Sequence, residues 1–197
     1  RAPATWPEGW EPRRTEEPSK RWREKAAAFL KWSQGHLLGD AGSEMLDWLR
    51  EVRGLSAGTV EKAGLGWNPR NWWRDREGWG LDNVLNNDGK PRKLWLPEGL
   101  VIPYQVDGRL MRLRVRRTRS EDGPRYYLVP GSDTRSMILN GNPESVIILE
   151  SELDAILVSQ EAQDLVTAIA LGNASSRPDQ ETHDFLCRAK RILISLD

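Results

Sequence analysis

Cysteine is almost absent from this sequence of 197 residues: Cys187 stands alone, and His36 and His183 are the only histidines. No disulfide can close within the chain, and no zinc site can be assembled from that set. Cys187 itself is expected to be a small core residue of a helix. Long apolar runs are missing too. Nothing approaches the roughly 18 residues that a membrane helix needs, and no secretory signal opens the chain, so the protein is expected to be soluble and cytoplasmic, with no membrane partner. An excess of charge of either sign is also missing, with 29 basic residues against 29 acidic. Overall charge therefore says nothing about partners.

The distribution of charge says more. Between Arg109 and Arg125 there are seven arginines against Glu121 and Asp122, whereas Glu144 to Asp197 holds ten acids against Arg177, Arg188, Lys190 and Arg191. A basic segment followed by an acidic one fits a protein that grips a polyanion and holds metal beside it; two ordinary solvated faces would look the same. Tryptophan is plentiful, ten in all, with Trp67, Trp72, Trp73, Trp79 and Trp95 close together. Base stacking is one use for such a cluster, and anchoring a loop-rich subdomain with a thin core is another.

In chain order, residues 1–18 are rich in proline and charge and read as a linker. Ser19 caps a helix to about Leu38, whose inner stripe is Trp22, Ala26, Phe29, Leu30, Ser33 and Leu37. Ser43 caps a second helix, with Met45, Leu46, Leu49 and Val52 facing inward. Ser56 opens a third, from Ala57 to about Ala63, closed by Gly64 and Gly66. After this helical block (19–66) comes a tryptophan-rich insert (67–97) with a turn at Asn87-Asp88-Gly89-Lys90.

A basic β hairpin occupies 98–130. Its first strand is Leu100 to Tyr104, Asp107-Gly108 is the turn, and Arg109 to Arg117 returns. Arg112, Arg114 and Arg116 share one face of the return strand, and Leu113 and Val115 the other. With Arg109, Arg117 and Arg119 at its ends, that face would project a row of guanidinium groups suited to backbone phosphates. A wet sheet face carrying charge for solubility is the alternative.

The last block alternates strand and helix: 146–150, 152–162, 165–170, 178–189 and 191–196. Such a pattern predicts a parallel sheet with helices on its faces. Val146-Ile147-Ile148-Leu149 runs into Glu150, and Ile192-Leu193-Ile194-Ser195-Leu196 into Asp197, short apolar runs of the kind buried on both faces. Parallel strands ending in carboxylates line one sheet edge with them, which is where open α/β sheets hold ligands. Carboxylates there suit Mg²⁺ or a similar hard cation. Asp154 and Glu152, by contrast, could simply complement a helix dipole. The absence of an initiating methionine and the open edge at the third strand are read as marks of a truncated chain.

The stretch Val146-Ile147-Ile148-Leu149-Glu150-Ser151-Glu152-Leu153-Asp154-Ala155 resembles the first motif of the TOPRIM domain, an apolar strand ending in Glu, then Gly, with Asp four residues after the Glu. Ser151 stands where the family has Gly. Ala168-Ile169-Ala170-Leu171-Gly172 is similar to the family's second strand, and Ile192 to Asp197 to the strand that carries its Asp-x-Asp pair, of which only the first Asp is present. Upstream, Trp48-Leu49-Arg50-Glu51-Val52-Arg53-Gly54-Leu55-Ser56 through Gly64-Leu65-Gly66 is similar to a block of DnaG-type bacterial primases. Leu100 to Tyr104 with Asp107-Gly108-Arg109 resembles those primases' Pro-containing strand and hairpin. The tryptophan-rich stretch departs from the housekeeping primases and suggests the zinc-finger (CHC2) relatives of phages and mobile elements.

The resemblance implies an α+β N-terminal subdomain of short helices and antiparallel strands (19–143), followed by a truncated α/β parallel-sheet TOPRIM domain (144–197). It implies a primase, a nucleotidyltransferase making short RNA primers on a single-stranded DNA template from ribonucleoside triphosphates, with an RNA–DNA hybrid as product and a replicative helicase as a partner of the full-length protein. Glu150 and Asp154 would be catalytic, Glu150 and Asp197 would hold Mg²⁺ or Mn²⁺, and Zn²⁺ would belong to a domain upstream. Arg109, Arg112, Arg114, Arg116, Arg117 and Arg119 would contact nucleic acid. The fragment alone is expected to be inactive. A TOPRIM-type nuclease, or a non-catalytic nucleic-acid-binding module of a mobile element, is the competing reading.

Overall fold

The computed structural model describes residues 11–119, 123–173 and 175–196. It divides into two compact units, Glu16–Thr134 and Arg135–Asp197, the latter joined by Arg1–Thr15.

In the first unit, helix α1 (Lys20–Leu37) starts where Ser19 accepts a hydrogen bond from the Trp22 N–H at 3.2 Å. Trp22, Ala26, Leu30, Ser33 and Leu37 are buried along its inner face. A short 3-10 turn (Asp40–Gly42) leads into α2 (Ser43–Glu51), so Ser43 is the first helical residue rather than the cap. Only Leu49 is buried on α2, and Val52, expected inward, is 66% exposed just past its end. α3 (Ala57–Lys62) is capped by Ser56, as the spacing predicts.

Strands β1 (Gly66–Asn68), β4 (Gly99–Val106), β5 (Arg109–Arg117) and β6 (Tyr126–Leu128) form an antiparallel sheet in the order β1-β4-β5-β6. β2 (Trp72–Arg74) and β3 (Leu94–Leu96) pair as a separate two-stranded ribbon. The β4–β5 turn is Asp107-Gly108, with positive φ of 49° and 73°. Both central residues of a type I′ turn need that left-handed region, which Gly accepts freely and Asp tolerates. α1 buries Trp22, Ala26 and Leu30 against Leu113 and Val115 of β5 and Val101 of β4. Trp79, Leu94 and Leu96 complete that core, with Trp72 and Tyr127 packed at its margin.

The second unit contains β7 (Met137–Leu139), β8 (Ser145–Leu149), α4 (Glu152–Ala162), β9 (Thr167–Ala170), α5 (Gln180–Arg188) and β10 (Arg191–Ser195). The sheet order is β10-β8-β9-β7, with β8 parallel to both β9 and β10, and β7 antiparallel on β9. From β8 the chain steps to one side for β9, then crosses back to the other for β10. Right-handed crossovers in opposite directions put α4 and α5 on opposite faces of the sheet.

β9 is buried at all four positions, and Val146, Ile148, Ile169 and Leu171 pack with Phe185 and Leu186 of α5. β10 departs from the sequence reading. An apolar run predicts a strand buried on both faces, yet all five residues are exposed, Ile194 by 69%. Among the described residues its ladder pairs only with β8, at the rim of the sheet. Cys187 is likewise exposed rather than core, one helical turn from His183 with sulfur 3.7 Å from Nε2.

β7 joins this sheet upstream of residue 144, where the sequence reading opens the domain. Within 1–18, read as a linker, Arg13 bridges Asp179, its N–H donating to the Pro178 carbonyl at 3.0 Å. No helix among the described residues is long and apolar enough to cross a membrane.

Candidate functional site

The register of the parallel ladder brings the carboxyl ends of three strands to one edge. Leu149 pairs with Ser195 on one side and with Ala170 on the other. The residues that follow are Glu150 after β8, Leu171 after β9 and Leu196 after β10. Because the connections leaving β8 and β9 run to α4 and α5 on opposite faces of the sheet, this edge is a topological switch point, the kind of place where open α/β sheets hold ligands. Glu150 is half-buried there, and its carbonyl accepts the Gly172 N–H at 2.9 Å, tying the β8 and β9 ends together. Asp197 lies outside the described residues.

Ser151 has φ −105° and ψ 153°, extended backbone open to any L residue, so the turn needs no glycine. Its side chain instead caps α4. The Ser151 Oγ accepts from the Asp154 N–H at 3.3 Å and donates to the Asp154 carboxylate at 2.6 Å, a reciprocal cap at the helix start. Asp154 is therefore held against its own helix. Glu152 is fully buried in the first turn of α4. Among the described residues no group of three or more His, Cys, Asp or Glu side chains could hold a metal. Glu150 supplies a carboxylate of the hard, oxygen-donor kind that Mg²⁺ and Mn²⁺ prefer.

One buried acid of this unit was not singled out in the sequence. Asp179 is 2% exposed and caps α5, accepting from the Thr182 N–H at 3.1 Å and its hydroxyl at 3.0 Å. It also accepts from the Ser136 N–H at 2.6 Å, with Arg13 at 3.8 Å. Burial pushes its pKa up, but these donors outweigh that and hold the carboxyl below its ordinary value. Its partners mark it as a brace between α5, the β7 approach and residue 13. Its place at the start of α5 is the one signal that could have found it.

The arginines of β5 do not form the uniformly exposed row that alternation predicts. Arg112 is 2% exposed, its guanidinium 5.2 Å from the Tyr104 ring centroid on the neighbouring strand. Arg112, Arg114 and Arg116 stand opposite Tyr104, Ile102 and Leu100, all buried, so this face is covered. Arg114 and Arg116 are half-buried, and Arg116 stacks over Trp48 of α2 at 4.3 Å. Arg53 approaches the same ring at 5.9 Å. Sequence reasoning had placed Arg53 in a motif without giving it a task.

The ends of the strand are more open. Arg109 is exposed and pairs with Glu17 at 3.3 Å. Arg117 lies over Trp95 at 5.0 Å and donates to the Pro124 carbonyl at 3.3 Å. Arg119 is exposed. Beside them, burial raises the Tyr127 pKa against the lowering fields of Arg92 and Arg76.

The chain has the fold of the DnaG primase catalytic core. It matches the RNA polymerase domain of Mycobacterium tuberculosis primase DnaG with a TM-score of 0.66 and 16% identity, covering 91% of this chain and 67% of that one. A DnaG primase catalytic domain bound to single-stranded DNA matches with a TM-score of 0.62 and 18% identity, over 90% of this chain and 62% of that one. The M. tuberculosis domain in complex with double-stranded DNA carrying a 6-nucleotide overhang matches at 0.61 and 15% identity, over 87% and 60%. The chain thus spans between 60% and 67% of the length of these structures. No family model and no curated protein matches it.

Proposed function

We propose that the chain is the greater part of the RNA polymerase core of a primase, which builds short RNA primers on single-stranded DNA. The observation that carries this reading is Glu150 at the switch point of a parallel sheet whose fold is that of the DnaG catalytic core. A carboxylate at that edge is available to orient or deprotonate a ribose hydroxyl, or to bind a cation. Glu150 and Asp197 would hold Mg²⁺ or Mn²⁺, which when bound neutralises triphosphate charge and lowers the pKa of an attacking hydroxyl. Asp154, engaged by Ser151, fixes the turn that presents Glu150 rather than touching substrate.

Arg109, Arg117 and Arg119 hold template phosphates, and Arg114 and Arg116 line the strand between them. Arg112, buried on Tyr104, supports that strand from within. The phage or mobile-element group is favoured by the tryptophan-rich insert, with a zinc-binding domain upstream and a replicative helicase as partner. The competing reading, a TOPRIM nuclease, uses the same carboxylate edge; the helical block and basic hairpin favour the primase.

Product analysis separates the two. A protein extended beyond Asp197 to the length of the matched structures, given single-stranded DNA, ribonucleoside triphosphates and Mg²⁺ or Mn²⁺, is expected to yield short RNA lost in Asp197→Asn. Nicked template without RNA would overturn the primase reading in favour of the nuclease.

A further inference from the structure

The two-stranded ribbon carries an aromatic ring that the core does not use. Trp73 on β2 is 58% exposed and stands directly opposite Trp95 on β3. Residues facing each other across an antiparallel pair project on the same side, with Cβ atoms about 5 Å apart. The next tryptophan along, Trp72, packs on the other side against the core that contains Trp79 and Leu96. The ribbon therefore sorts its tryptophans, one side for folding and one side toward solvent.

An isolated exposed apolar residue is ordinary, but the surroundings of this one are built. Trp95 is fixed by its Nε1, which donates to Asn71 Oδ1 at 2.9 Å, and by Tyr127, edge-on at 5.0 Å. The Asn71 Oδ1 also accepts the Glu98 N–H at 3.2 Å, and the Glu98 carboxylate accepts the Thr118 hydroxyl at 3.0 Å, which engages the neighbouring acid. Over the Trp95 ring lies the planar guanidinium of Arg117. Arg92 and Lys93, just before β3, are exposed, as is Arg119. The result is an exposed tryptophan ring on the same side of the ribbon as a second one that Asn71, Tyr127 and Arg117 hold in place.

A ligand that fits must be planar, apolar on its faces and anionic beside them. An unpaired nucleobase with its phosphate meets all three conditions. A duplex does not, because its bases are already stacked on one another. A protein partner would ask for a broader apolar patch than one or two rings.

We propose that Trp73 and Trp95, with Arg117, form a stacking platform for unpaired bases of single-stranded nucleic acid. The platform rests on the reading of this unit as a nucleic-acid binder and adds to it a contact that is independent of phosphate charge. Stacking on an aromatic residue tolerates any base, so the platform adds affinity without sequence preference.

The test is fluorescence anisotropy of the chain with a labelled mixed-sequence single strand of about 12 nucleotides, and with the matching duplex, across a salt series. Trp73→Ala is expected to weaken single-strand binding roughly five- to a hundredfold while leaving the salt slope unchanged. Trp73→Phe keeps a ring and restores most of that loss, which separates stacking from misfolding. Arg119→Ala is expected to reduce the slope by about 0.7. Equal affinity for wild type and Trp73→Ala, with salt-dependent binding intact, overturns the platform and spares the arginine contacts. An equal loss on duplex also overturns it. Failure of the wild type to bind any single strand removes the nucleic-acid reading, and the platform with it.

Discussion

Glu150 and Arg112 are both charged residues placed by a strand, and the fold treats them in opposite ways. Glu150 is the first residue after β8, and parallel topology carries it to the edge of the sheet where the strands end. Arg112 lies inside β5, where its exposure depends on what covers the face, and β5 buries it to 2% against Tyr104. A charge at a strand terminus is positioned by connectivity, which a sequence reveals. A charge in mid-strand is positioned by its neighbours in space, which it does not. The same contrast separates Arg112 from Arg119, which is two residues beyond the end of β5 and exposed.

Substituting Arg112 is the sharpest way to break the comparison. Arg112→Ala leaves the buried groups around the guanidinium without it and is expected to cost on the order of 3 kcal/mol, read by urea unfolding. Arg112→Met, apolar and of similar length, should recover most of that stability and leave the salt slope of single-strand binding untouched. A loss of slope without loss of stability would mean that Arg112 reaches phosphate after all.

Asp179 extends the comparison to a buried acid. Its folded pKa is depressed below the ordinary value near 3.9, so the stabilisation is complete above that value and is lost as pH falls through the folded pKa. Asp179→Asn should cost about 1–3 kcal/mol at neutral pH and flatten the decline of stability in acid. A variant with an unchanged acid limb would remove Asp179 as the brace.

Ser151 gives the smallest effect. Ser151→Ala removes the cap of α4 and should lower stability by about 1 kcal/mol, whereas Ser151→Gly should cost only a few tenths. A large loss with Gly would show that the turn depends on more than the cap.

Much of the fold was legible because local signals agreed. Ser19 and Ser56 capped as spacing predicts, Asp107-Gly108 made the hairpin turn, although a one-residue shift between Tyr104 and Gln105 resets the register beyond it, and the alternating block from residue 146 gave a largely parallel sheet. What escaped was decided by contacts distant in sequence. β2 and β3 are three residues each, too short for a period, and they form because Trp72 and Leu96 pack into a core with α1. Apolar residues in β10 predict a strand correctly, while its exposure depends on what lies against its two faces, which the pattern of a strand does not show. At the candidate site, Glu150 and its apolar run were readable, while the Ser151 cap appeared only as a departure from a motif. The tasks of Arg53 and Trp48 became visible only when their rings and guanidinium groups met.

In the function proposed above labour is divided, the carboxylate edge doing chemistry and the arginine-bearing sheet holding nucleic acid. Parallel measurement of primer synthesis and single-strand affinity in Glu150→Gln, in a protein extended beyond Asp197, tests it most directly. The predicted result is a loss of synthesis of about 10²- to 10⁴-fold with an unchanged Kd and salt slope. Synthesis that survives the substitution, or falls only in step with DNA affinity, would contradict it.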